Sequence, residues 1–78
     1  MRKLKLIWDF KGPDAEMTAA HHLIHLKEYV KSEKVTCITT GVEKLSDKHH
    51  IAYLALEEIY MPAVRDALKP HRGQLWND

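Results

Sequence analysis

His21 and His25 stand four residues apart in the run His21-His22-Leu23-Ile24-His25. On a helix that spacing puts two imidazoles on one face, within reach of a single metal ion. His22 and His25 form a second helical pair at three residues. The run is not the zinc-protease motif, because His22 stands where that chemistry needs a glutamate as general base. A pair alone supplies two of the three or four protein ligands that zinc usually takes. A solvated or dimer-packing face is therefore the plain alternative for these rings.

The chain has six histidines in 78 residues. His71-Arg72-Gly73 offers an imidazole that could be a ligand or an acid/base, and a guanidinium that could grip a carboxylate or phosphate at two points. Both residues would equally answer the dipole at a helix C-terminus. His49 and His50 point to opposite faces if both lie in a strand, so at most one joins a given site. Asp9 could orient an imidazole by accepting its second N–H. Cys37 has no activating neighbour in the sequence and reads as an inert, buried thiol. Glycine-rich phosphate loops and a local Ser–His–Asp signature are absent.

These residues need elements to position them. Leu4, Leu6, Trp8 and Phe10 alternate with Lys3, Lys5, Ile7 and Asp9, a period of two that predicts a strand. Gly12-Pro13-Asp14 then opens a helix over about residues 13–33, with Ala19, Ala20, Leu23, Leu26 and Val30 as its buried stripe. The β-branched stretch 35–44 predicts a second strand, with Gly41 as a candidate bulge. Residues 50–57 predict a third, apolar on both faces and so central, whose second face needs a cover. Pro62 suits the first turn of a helix starting near Tyr60, which buries Tyr60, Ala63, Val64, Ala67 and Leu68 and stops at Pro70. Residues 74–76 predict a stub of a fourth strand.

The order β-α-β-β-α, with a short final β, resembles the ferredoxin-like split βαβ plait. The resemblance covers most of the chain and rests on element order alone. It implies an α+β two-layer sandwich, an antiparallel sheet with both helices on one face. Many small domains of this kind dimerise through the open sheet face, which would cover the third strand. The alternating directions of the elements also gather Asp9, His49, His50, His71 and Arg72 at one end, with the start of the first helix.

Composition sets the outer bounds. Hydrophobic residues make up 45% and charged residues 29%, ordinary values for one globular domain over 1–78. The net charge is +1, rising to +7 when all six histidines are protonated. At neutral pH there is no basic excess to hold nucleic acid or anionic lipid. The third strand also lacks the aromatic, basic surface on which RNA is stacked. No stretch is long and apolar enough for a membrane span or an export signal. A lone cysteine suits a reducing, cytoplasmic setting.

Three functions compete. The first is a dimeric domain holding zinc, nickel or copper through His21, His25, His22, His71 and His50. The second is a small-molecule-binding protein or small enzyme with His71 as acid/base, Arg72 as anion clamp, and Asp9 and His49 beside them. The third is an interaction module whose histidines make association depend on pH. The i, i+4 geometry favours the first.

Overall fold

The computed structural model describes residues 2–76. The elements are β1 (Lys3–Lys11), α1 (Ala15–Ser32), β2 (Cys37–Ser46), β3 (His49–Glu57), a 3₁₀ turn over Glu58–Tyr60, α2 (Met61–Leu68) and β4 (Arg72–Leu75). The four strands form one antiparallel sheet in the order β2-β3-β1-β4. The fold is thus α+β, a four-stranded antiparallel sheet with two helices.

The alternation in β1 is real. Leu6 and Trp8 join Ala52, Leu54 and Leu56 of β3, Leu26 of α1 and Val64 of α2 in one buried cluster. Trp8 is buried without leaving its indole N–H unpaired: Nε1 donates to the Leu68 carbonyl at 2.8 Å. That bond fastens the end of α2 to β1.

α1 begins two residues later than the sequence suggests. Gly12 donates its N–H to the Lys48 carbonyl at 2.8 Å, tying this loop to the β2–β3 hairpin, and Pro13 and Asp14 complete the turn. Ala19 and Leu26 are buried as expected, and Ala15 joins them. Ala20 is exposed, because it lies about 100° around the helix from Ala19. The same geometry exposes Ala63 and Ala67 of α2, leaving Val64 fully buried and Leu68 partly so. Both helices are more narrowly amphipathic than their composition suggests.

β2 is displaced to Cys37–Ser46 because α1 ends in a left-handed residue, Lys34 at φ 54°, after which the Val35 N–H returns to the Val30 carbonyl at 3.0 Å. Gly41 is not a bulge. The irregularities fall at Cys37/Thr39 and Lys44/Ser46, while Gly41 pairs regularly with Tyr53. Its lack of a side chain serves close approach: a Cβ there would lie 2.8 Å from the Tyr53 hydroxyl oxygen.

β3 is central, and both of its faces are covered. Ile51 and Ala55, on the face away from the core cluster, are 2% and 0% exposed, as is their neighbour Ile7 at 1%. The cover comes from the chain itself. Lys5 lies over the Tyr53 ring at 4.5 Å from its centroid, and Tyr53 stacks with Trp76 at 6.4 Å. The Lys5 ammonium also binds Glu43 at 2.9 Å. The apolar side chains of this face are thus buried within one chain, on a face that also carries these long polar and aromatic side chains.

Candidate functional site

β1 and β3 pair so that Asp9 stands opposite Ile51, and Lys11 opposite His49, on the face away from the core cluster. β4 runs along the other side of β1, with Arg72 opposite Ile7. Three strands thereby bring one carboxylate, one imidazole and one guanidinium together. Arg72 Nε donates to Asp9 Oδ2 at 3.0 Å and Nη2 to Oδ1 at 3.1 Å. His49 Nε2 meets Oδ1 at 2.8 Å. The Asp9 carboxyl is held down at about 2, chiefly by the Arg72 hydrogen bonds, against the opposing effect of burial and with help from His49. In return, hydrogen bonding to Asp9 raises the Arg72 guanidinium above its ordinary value.

His71 completes the arrangement through the main chain. Its N–H donates to the Ile7 carbonyl at 2.9 Å, and its Nδ1 accepts the Asp9 N–H at 2.8 Å. The ring continues the sheet ladder where β4 has not yet begun. Accepting at Nδ1 requires the neutral ring with its proton on Nε2.

The sequence gathers Asp9, His49, His71 and Arg72 correctly at one end, but the roles differ. Arg72 spends its fork on Asp9, so it is not a free anion clamp. His71 uses Nδ1 to hold backbone, so the acid/base role loses that nitrogen. Together the two residues lock the short, exposed β4 onto β1.

The imidazoles named as metal ligands do not converge within one chain. His21 and His25 are exposed neighbours, ring centroids 4.9 Å apart, and His25 Nδ1 lies 3.5 Å from Glu28 Oε1. His22 turns away, as 100° per residue demands, and packs against Trp8 at 5.1 Å and Phe10 at 5.5 Å. Its Nε2 is buried without a hydrogen-bond partner. Burial pushes the His22 imidazole below its ordinary value, and His25, His71 and His21 add to that. His50 is buried opposite Phe10, on the other face of β3 from His49. Among the described residues, no three His, Cys, Asp or Glu side chains form a group that could hold a metal ion.

The small-molecule reading of the sequence calls for a pocket between sheet and helices with Arg72 at it, and the structure has a concave feature there, although the rest of its lining had no signal in the sequence. A cleft of about 290 Å³ lies between α2 and the β1–β4 pair, lined by Leu4, Leu6, Met61, Arg65, Pro70, Arg72, Gly73 and Gln74. Its lining is mostly apolar, with Arg65 its second arginine. Gly73 faces Leu6 across the β1–β4 pair, and a Cβ there would make ordinary contact with the Leu6 side chain at 3.4 Å. Leu4 and Leu6 lie far in the chain from Arg65 and Gly73, and the pairing of β1 with β4 brings them together.

No family model, no curated protein and no solved structure matches this chain. Among the described residues no helix is long and apolar enough to cross a membrane.

Proposed function

We propose that this chain is a small ferredoxin-like plait, both helices on one face of the sheet, that binds a small organic acid in the cleft between α2 and β4. The cleft carries the reading: it is an apolar concavity with a charged group at hand, the usual composition of a small-ligand site, at the lower end of such volumes. Leu4, Leu6, Met61 and Pro70 would contact the apolar body. Arg65, whose exposed guanidinium has among the described residues a 3.3 Å contact with the adjacent Asp66, would pair with the carboxylate. The Asp9–Arg72 fork and the His71 bond are positioning groups that hold the β4 wall in place. The protein acts as a binding domain, and its lone Cys37 suits a reducing, cytoplasmic setting.

The test is an NMR titration with hexanoate and benzoate, using hexanol and benzyl alcohol as uncharged counterparts. The acids are expected to shift the amides of Leu4, Leu6, Met61 and Gly73, and the alcohols to bind more weakly. Arg65→Ala should weaken acid binding roughly tenfold, the loss of one charge-assisted contact, and Gly73→Val should block the cleft. Absence of shifts at millimolar acid, or equal binding of acid and alcohol, would overturn the proposal.

A further inference from the structure

Met17, His21, Ile24, His25 and Glu28 follow one another along α1 at steps of three, four and one, so they share its solvent side, away from buried Ala19 and Leu26. Met17 is 74% exposed and Ile24 55%. Ala20 beside them is small and exposed, which permits close approach of another helix. α1 thus carries a second stripe, part apolar and part imidazole, that the fold of one chain does not use.

Within that stripe His21 and His25 are adjacent, their rings 4.9 Å apart. His25, itself exposed, turns Nδ1 toward Glu28 at 3.5 Å, a contact that does not engage Nε2. A carboxylate behind a ring nitrogen is the usual support of a metal-binding imidazole. The donor set is nonetheless half complete, since zinc takes four tetrahedral ligands and, among the described residues, no group of three His, Cys, Asp or Glu side chains is placed to hold a metal ion.

We propose that His21 and His25 are one half of a metal site between two copies of this chain, four imidazoles from two α1 helices holding one zinc ion. A two-fold axis through the metal makes the stripe meet itself. Met17 and Ile24 then pack beside the ion, which gives two exposed apolar side chains a partner. The inference is independent of the cleft, which lies between α2 and β4.

Untagged protein is followed by analytical ultracentrifugation and elemental analysis, first with a chelator and then with half an equivalent of Zn²⁺ per chain. Zinc is expected to double the sedimenting mass and to be retained at one ion per two chains. His21→Ala and His25→Ala should each abolish both effects, and Ile24→Lys should weaken dimerisation at least tenfold with all imidazoles kept. These side chains are exposed, so the variants should fold as the parent does, checked by circular dichroism. Zinc bound without a change in mass, no zinc retained, or zinc-driven dimers that persist in the double alanine variant would each overturn the proposal.

Discussion

Asp9 shows how one side chain acquires a role from its neighbours. Its carboxylate receives both arms of Arg72 and the ring of His49 while only 18% of the side chain remains exposed. Because its folded-state pKa is held down at about 2, below the ordinary carboxylate value, the stabilisation is full above about pH 4 and is lost as pH falls toward 2. Asp9→Asn should therefore lower stability at pH 7 by about 1 kcal/mol, after allowance for screening of the half-exposed Arg72. It should also flatten the decline in urea-unfolding midpoint between pH 4 and 2. An unchanged acid profile would show that the ion pair contributes nothing to folding. The composition of this group was legible in the sequence as a set of chemically able residues at one end. The contact of Asp9 with an imidazole was also legible, and the structure has it at His49; the roles of Arg72 and His71 were not, because a guanidinium aimed at a ligand and one aimed at a carboxylate have the same sequence.

At the scale of elements, the helix ends are where local chemistry departs from preference. Both helices close on a lysine in the left-handed region, Lys34 at φ 54° and Lys69 at φ 51°. Glycine is the residue that adopts this conformation without steric cost. Lys34→Gly should raise stability by up to about 1 kcal/mol, seen as a higher urea midpoint, the relief of the left-handed strain exceeding glycine's added unfolded-state entropy. A lower midpoint would mean that the Lys34 side chain stabilises the native state. β1 was legible from its period of two, β2 from its β-branched residues, and the central place of β3 from its two apolar faces. The displacement of β2 by two residues was not, since it follows from how α1 terminates.

The whole molecule carries a second dependence on pH, of opposite location to the first. His22 is packed under Trp8 and Phe10 with Nε2 unpartnered, so charging it in the folded state is disfavoured. The unfolded chain takes up that proton near pH 6.5, the folded chain only at lower pH. Stability is therefore full above about 6.5 and falls as the solution is acidified below it. His22→Phe, which keeps a ring and removes the orphan nitrogen, should show a smaller loss between pH 7 and 5 than the parent in thermal melts. Equal losses would assign the effect to the other imidazoles.

Elements and their order, the two faces of β3, and the crowding of histidines at one end and along one helix follow from the amino-acid sequence by itself. Periodicity and chain direction are local properties, readable without knowing what packs on what. Only the tertiary structure decided that Tyr53, Lys5 and Trp76 stack on the second face of β3, that Arg72 answers Asp9, that His22 packs on Trp8 and Phe10 apart from His21, and which residues line the cleft beside β4. Each of these depends on which strands are neighbours and in what register, and that choice is made by burial summed over the whole chain.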